Sequence, residues 1–319
     1  MDATRTTVAA ASPTARIAAR DRARPPAAKV GVVAHGRKSL GGGLDELRRR
    51  LATEGVAEPL WYEVRKSRKA GDAARRAVAD GVDLLFVWGG DGTVQRCVDA
   101  VAGTDVAIAI LPAGTANQLA TSLGIPVDLA EAVRIGCTGA GRRLDLGKLN
   151  GEHFAVMAGV GFDAEMISDA DRGAKRHLGQ LAYVAAALRH TTGTATQVRI
   201  TVDGRPWFSG EASCVLFGNV GTISGGIRAF DDARPDDGWL DVGVTTATGR
   251  LQWSRVLARM AAGRSDRSPL IRITRARKVK VRLADPQRYE LDGGARTRTT
   301  RIKARIVPAA ITICVPADS

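Results

Sequence analysis

The stretch that most constrains the fold is Asp83–Thr93, which reads DLLFVWGGDGT. An apolar run of strand length stops at closely spaced glycines, and apolar residues then recur at helical spacing as far as Val101. The predicted order is therefore strand, tight loop and helix. Glycines let the backbone approach a polyanion, and the helix N-terminus attracts negative charge. The predicted phosphate-binding residues are Gly89, Gly90, Asp91, Gly92 and Thr93.

Asp91 is the acidic member of this loop. A carboxylate repels phosphate unless a cation lies between them, so Asp91 favours a magnesium-bound nucleotide over a bare phosphate. The open alternative is a plain glycine turn with a solvated aspartate.

A second glycine loop follows the next apolar run, Ala107–Leu111. It reads PAGTANQLA from Pro112 to Ala120 and leads into a helix-like segment. In an open parallel sheet such loops gather at the carboxyl edge, where ligands bind. We therefore expect Gly114, Thr115 and Asn117 to bind the nucleotide together with the first loop.

The alternation of segments predicts an α/β fold with two domains. Residues 1–28 lack apolar periodicity and read as a disordered leader, with an organelle transit peptide as the alternative. Strands and helices alternate over 29–143, which predicts a doubly wound parallel sheet that binds nucleotide. Residues 144–316 contain many β-branched segments and one clear helix, Leu178–His190, which predicts a mainly antiparallel β-sandwich. A return of the last residues to the first domain is left open.

The charge balance indicates an anionic partner. The chain has 47 lysine and arginine residues against 33 aspartate and glutamate residues, a net charge of +14. Neither a zinc-finger spacing nor an aromatic-rich RNA motif is present, so nucleic acid is not expected. Near residue 280 basic and apolar residues alternate, so Lys278, Lys280 and Arg282 share one strand face. That face would bind anionic phospholipid, or it is simply solvated.

The expected location is the cytoplasm, with peripheral association to a membrane. The apolar runs are too short to cross a bilayer. The four cysteines are scattered, which is typical of buried, reduced thiols. A homodimer is left open.

The motifs GGDGT (Gly89–Thr93) and LPAGTANQLA (Leu111–Ala120) resemble the diacylglycerol kinase-like lipid kinase family, which also includes sphingosine and ceramide kinases. The first motif also occurs in NAD kinases, whereas the second does not. The resemblance implies transfer of the γ-phosphate of ATP, with Mg²⁺, to the hydroxyl of a lipid alcohol. Diacylglycerol would be the default substrate and phosphatidic acid the product. The alternatives are a NAD kinase-like enzyme with a soluble substrate and a nucleotide- or lipid-binding pseudokinase.

The resemblance also implies roles for acidic residues. Asp91 and Asp145 would belong to a water and magnesium network, and Asp292 would be the general base. From the residues alone, Asp292 is a turn aspartate before two glycines. Asp236 and Asp237, in DDGWLD, would hold a structural magnesium, with a solvated turn as the alternative.

Two further residues are candidates for nucleotide contact. Ser67 occupies the position of a nucleotide-contacting threonine in the family, although a helix cap is an equal alternative. Lys38 lies in the glycine-rich loop after the first strand and could reach a phosphate.

The chain departs from the family pattern where acids are usual. Gln118 and Gly294 stand in place of acidic residues, and Gln95-Arg96 replaces Asn-Glu. The favoured interpretation is a magnesium network with fewer carboxylates. The alternative is a weak or inactive kinase.

Overall fold

The computed structural model describes residues 21–22, 27, 29–161, 195–223, 227–265 and 268–317. One mixed sheet runs through both halves of the chain. Its first part is parallel and covered by helices, whereas its second part is antiparallel and layered. The predicted fold class is confirmed.

The first half alternates strands and helices. The elements are β1 (Asp21–Arg22), β2 (Val30–His35), α1 (Gly43–Thr53), β3 (Leu60–Val64), a 3₁₀ turn (Ser67–Lys69), α2 (Ala70–Ala79), β4 (Leu84–Gly89), α3 (Asp91–Val101), β5 (Ala107–Pro112), α4 (Gln118–Ser122) and α5 (Leu129–Thr138). Strands β2, β3, β4 and β5 are parallel and lie in the order β3-β2-β4-β5.

The strand order places a ligand crevice at the carboxyl ends of β2 and β4. The chain runs from β2 outward to β3 and then returns to β4 on the other side of β2. This reversal is a topological switch point, where loops diverge and leave a crevice. The loop containing Lys38 and the loop containing Gly90 border it.

The parallel sheet is apolar on both faces. Every residue of β4 and β5 is buried, as expected for strands covered by helices on both sides. Helix α1 packs against α5, and α2 packs against α3. The indole nitrogen of the fully buried Trp88 donates to the carbonyl oxygen of Lys38 at 3.1 Å, which anchors the loop after β2 to β4.

The second half is rich in antiparallel strands. Its elements are β6 (Ala140–Leu149), β7 (Glu152–Phe154), β8 (Met157–Val160), β9 (Thr196–Val202), β10 (Arg205–Ala212), β11 (Cys214–Gly218), β12 (Thr222–Ile223), β13 (Ile227–Arg228), β14 (Leu240–Thr245), α6 (Gly249–Ala261), β15 (Ile271–Ala276), β16 (Lys278–Leu291) and β17 (Gly294–Val315). A second hydrophobic core lies between these layers.

Strand β17 joins the two halves. It pairs in antiparallel fashion with β16 and β6, and its end pairs in parallel with β5, where Thr312 and Ile313 lie opposite Ala107 and Ile108. The predicted boundary between residues 143 and 144 lies inside the continuous strand β6.

Two local predictions differ from the structure, and one helix has no counterpart among the predicted elements. Within the predicted leader, Asp21–Arg22 pairs with β6, so disorder does not hold for these two residues. Helix α6 was not predicted. Among the cysteines, Cys137 is only partly buried, whereas Cys97, Cys214 and Cys314 are buried. The predicted helix Leu178–His190 lies outside the described residues.

Within the described ranges, no helix combines the length and the apolar character needed to span a membrane.

Candidate functional site

The two glycine loops pack directly against each other. A Cβ built on Gly114 would lie 2.4 Å from the Cα of Gly90, so only glycine allows this approach. Asn117, in the left-handed conformation with φ of 46°, closes the second loop. Its side-chain oxygen accepts from the Gly114 amide at 2.9 Å, and its side-chain nitrogen donates to the carbonyl of Pro112 at 3.2 Å. The loops therefore form one structural unit.

The Asp91 carboxylate also connects the loops. Asp91 is the first residue of α3, and its two oxygens accept from the amides of Asn117 at 2.9 Å and Gln118 at 2.6 Å. Burial raises the pKa of Asp91, while these amides and the nearby Lys38 act in the opposite direction. The alternative of a solvated turn aspartate is wrong.

Ser67 lies beside the first loop. Its hydroxyl is 3.1 Å from that of Thr93, and its Cβ lies near Gly92. The cap position of the 3₁₀ turn belongs to Lys66, and no side chain caps it, so the helix-cap alternative for Ser67 is wrong.

The structure thus gathers the predicted nucleotide-binding residues at one edge of the sheet. Lys38 and Thr115 are exposed there, whereas Gly89 and Thr93, at the two ends of the first loop, are buried. Their contact with a nucleotide stays a prediction.

Asp292 lies in the two-residue turn between β16 and β17. Asp292 and Gly293 both have positive φ, 45° and 78°, as in a type I′ hairpin turn. The carboxylate points inward and is 8% exposed. Its Oδ2 accepts from the Ala155 amide at 2.8 Å, and its Oδ1 accepts from those of Val156 and Met157, each at 2.9 Å. Asp292 is therefore more than an ordinary turn residue.

The environment makes Asp292 unusually basic for an aspartate. Its pKa is raised to about 6: burial is the largest cause, the three amides oppose the shift, and the charge of Asp91 adds to it. The two carboxylates, one from each half of the chain, are therefore close enough to repel each other. Because Oδ2 accepts only one of the three amide hydrogens, it retains capacity to take a proton.

Two of the residues that depart from the family pattern, Gln95 and Arg96, belong to one network between α3 and the second half. Arg96 bonds Glu152 at 2.8 Å, and Arg296 bonds the same carboxylate at 2.9 Å. Buried Gln95 donates to the carbonyl of His153 at 2.8 Å and accepts from Arg296 at 3.2 Å. Arg96 therefore carries a positive charge where the family usually has a glutamate, and Glu152 pairs with it. The sequence analysis did not identify this partner.

Gly294 lies beside this network. A Cβ built on it would lie 2.8 Å from Nη1 of Arg296, so the guanidinium occupies the space next to the position where the family usually has an acid.

Asp145 makes its contacts elsewhere. It is 5% exposed, and its oxygens accept from the amides of Gly238 and Ala309, both at 2.7 Å. Its own amide donates to the carbonyl of Pro235 at 2.6 Å. These bonds tie β6 to β17 and to the loop that contains Asp236 and Asp237, which we call the acidic loop. None of them goes to the GGDGT loop.

The guanidinium of Arg275, a residue of β15, reaches the acidic loop that is predicted to hold a structural magnesium. Nη1 of Arg275 is 3.5 Å from Asp237, its Nε is 3.4 Å from Asp241, and its Nη2 donates to the carbonyl of Asp232 at 2.7 Å. The other Asp237 oxygen accepts from the Trp239 amide at 3.0 Å. Burial raises the pKa of Asp241, and Arg275 opposes that shift.

The guanidinium of Arg275 thus supplies positive charge beside Asp237, where the structural magnesium is predicted. In the part of the chain that the structure describes, no three His, Cys, Asp or Glu side chains form a metal-binding group. Magnesium binding by Asp236 and Asp237 stays a prediction.

The contacts of Asp145 predict a structural role. Asp145→Asn replaces one acceptor oxygen by a donor facing an amide, which should lower the free energy of unfolding by about 1–3 kcal/mol. Urea unfolding measures the change, and Asp105→Asn, at an exposed site, is the matched control. A loss of unfolding free energy in Asp145→Asn that is seen only when Mg²⁺ is present would indicate that Asp145 is a metal ligand instead.

The position of Arg275 predicts stability that does not depend on metal. Without nucleotide, the unmodified protein should have the same Tm in EDTA and in Mg²⁺. Arg275→Gln should lower the Tm in EDTA, and Mg²⁺ should restore part of it, because the freed carboxylates can then bind a cation. Arg272→Gln, an exposed site on the same strand, should show neither effect. An equal response of both variants to Mg²⁺ would contradict this account.

Comparison with known proteins agrees with this geometry. Residues 31–149 match the model of the diacylglycerol kinase catalytic domain, and residues 155–315 match the YegS C-terminal NAD kinase beta sandwich-like domain. A diacylglycerol kinase of Bacillus subtilis (strain 168) is 31% identical over 231 residues, which cover 70% of this chain and 76% of that protein.

A probable lipid kinase YegS-like of Pseudomonas aeruginosa is 31% identical over 297 residues, covering 91% of this chain and 95% of that protein. The crystal structure of a diacylglycerol kinase from Bacillus anthracis str. Sterne superposes with a TM-score of 0.71 at 22% identity over 92% of this chain and 99% of that one, which supports the fold. The resemblance of the two glycine motifs is thereby confirmed. This chain belongs to the diacylglycerol kinase-like lipid kinase family.

Proposed function

We propose that this protein is an ATP- and magnesium-dependent kinase that phosphorylates the hydroxyl of diacylglycerol and releases phosphatidic acid and ADP. The observation that carries the proposal is the buried carboxylate of Asp292, which the amides of residues 155–157 hold in place and whose pKa is raised in part by the charge of Asp91 in the glycine loop. A phosphoryl transferase needs a nucleotide cradle and a base that faces it. Family membership supports a lipid as acceptor.

The cradle is formed by the first glycine loop and its neighbours. Helix α3 begins at Asp91, so the positive end of its dipole points toward bound phosphates. Lys38 and the hydroxyl of Ser67 lie at the same edge and would bind phosphate oxygens. A magnesium ion held by Asp91 and the nucleotide would neutralise the charge between them.

Asp292 would activate the acceptor. A lipid hydroxyl is a weak nucleophile at neutral pH, and a positioned base contributes roughly 10²–10⁴ in rate. As the hydroxyl oxygen bonds the γ-phosphorus and the bond to ADP breaks, Oδ2 of Asp292 takes the hydroxyl proton. A pKa of about 6 leaves Asp292 mostly ionised at pH 7.5, yet more basic than an ordinary aspartate.

Two observations weigh against the alternatives. The second glycine motif and the family models argue against a NAD kinase-like activity. The retention of both Asp91 and Asp292 argues against a pseudokinase, because these are the acids to which the proposed magnesium and base roles are assigned.

Transfer of label from γ-labelled ATP tests the proposal. With Mg²⁺, label should enter phosphatidic acid when vesicles contain diacylglycerol, and it should not enter NAD. Asp292→Asn should lose at least about two orders of magnitude in kcat while keeping its affinity for ATP, because it removes the base and leaves the glycine loops unchanged. Its side-chain amide would also place a donor against a backbone amide of residues 155–157, so its free energy of unfolding is measured in parallel and should fall. Asp105→Asn is the control of equal charge change. Phosphorylated NAD, ATP binding without turnover on any lipid, or full activity of Asp292→Asn would contradict the proposal.

A further inference from the structure

One face of the antiparallel sheet carries a lattice of like charges. In the pairing of β16 with β17, Lys278 lies opposite Arg305, Lys280 opposite Lys303, and Arg282 opposite Arg301. The rows extend to the flanking strands. We call the eight side chains the cationic grid: Lys148, Arg199, Lys278, Lys280, Arg282, Arg301, Lys303 and Arg305.

The strand alternation places the grid on a single surface. The intervening residues, such as Val279, Val281 and Ile302, are buried in the second core, whereas all members of the grid except the half-buried Lys148 are exposed. Lys148, Lys280 and Lys303 are among the residues around a depression of about 610 Å³ in this surface.

The grid is not neutralised within the described residues. Like charges directly opposite each other destabilise a strand pair. Elsewhere many arginines have acidic partners, as in the helix pairs Arg48–Asp45, Arg75–Asp72 and Arg134–Glu131. Among the described residues no ion pair involves a grid side chain. A ligand with spread negative charge would relieve this repulsion.

The shape of the grid favours an extended anionic surface. Four strands about 4.8 Å apart and three rows about 6.8 Å apart give a patch of about 14 Å in each direction. Such a patch spans more than one phosphate group. No aromatic residue is interleaved with the cations over 278–282 and 301–305, so stacking on nucleic acid bases is not provided for.

We propose that the cationic grid docks this protein on a bilayer containing anionic phospholipid. The inference rests on and deepens the proposed function, because a kinase of diacylglycerol must work at a bilayer. Strands β16 and β17 carry the grid and also the turn with Asp292. The turn lies ten residues beyond Arg282 along β16, so docking would orient the hairpin that bears the base relative to the membrane rather than place Asp292 in contact with it.

Binding to vesicles without nucleotide tests the proposal. The unmodified protein should bind phosphatidylcholine vesicles that contain phosphatidylglycerol, and bind phosphatidylcholine alone weakly; rising salt should weaken the former, because exposed charges are screened. The triple variant Arg282→Gln, Arg301→Gln and Arg305→Gln should bind the anionic vesicles about 100-fold more weakly. Its Tm should not fall, since only repulsion is removed.

The matched control is Arg49→Gln, Arg205→Gln and Arg255→Gln, which removes three exposed arginines from α1, β10 and α6. It should bind nearly as well as the unmodified protein. Equal losses in both triple variants would show that net charge alone drives binding and would overturn the proposal. Grid-dependent binding of a single-stranded oligonucleotide in preference to vesicles would also overturn the proposal.

Phosphorylation of a short-chain, soluble diacylglycerol separates docking from catalysis. The grid variant should retain this activity while it loses vesicle binding. Normal vesicle binding without phosphorylation of any lipid would contradict the proposed function and leave the docking surface standing. Loss of the soluble activity in the grid variant, with vesicle binding unchanged, would overturn the docking role.

Discussion

The three hydrogen bonds from the amides of residues 155–157 to Asp292 fix the geometry on which the site depends. A buried carboxylate is costly unless hydrogen bonds compensate for lost water. These amides therefore fix the position of the Asp292 carboxylate. They also fix the turn between β16 and β17, which carries Asp292. On the other side, Asp91 is fixed by the amides of Asn117 and Gln118. Two carboxylates, each fixed by backbone amides, define the space in which phosphoryl transfer would occur.

The site combines acidic and basic residues in ways that single positions do not reveal. Arg96 reverses the charge usual in the family, yet Glu152 on β7 pairs with it. Arg275 lies among carboxylates where a metal was expected. In both places the chain supplies a counterion of its own: Glu152 for Arg96, and Arg275 for Asp237 and Asp241. The cationic grid differs, because no ion pair among the described residues involves its side chains.

Local signals predicted much of this molecule, whereas long-range contacts could not be predicted. Periodicity and glycine turns gave the parallel strands and both loops, because these features depend on neighbouring residues. The backbone contact of Gly90 with Gly114 and the bonds of Asp145 join distant segments, which one sequence does not specify. Helix α6 could have been predicted from the sequence. Its buried apolar residues recur at helical spacing: Trp253, Val256, Leu257 and Met260. The abundance of β-branched residues around it favoured strands instead.

The pKa of Asp292 tests most directly whether the two halves of the chain form one site. Carboxyl-detected NMR titration can measure it in the unmodified protein and in Asp91→Asn, both without nucleotide. We predict a pKa of about 6 in the unmodified protein and a lower pKa in Asp91→Asn, because the variant removes a nearby negative charge. An ordinary aspartate pKa in the unmodified protein, or a raised pKa that Asp91→Asn leaves unchanged, would contradict the account, since Asp292 would then not face the glycine loop.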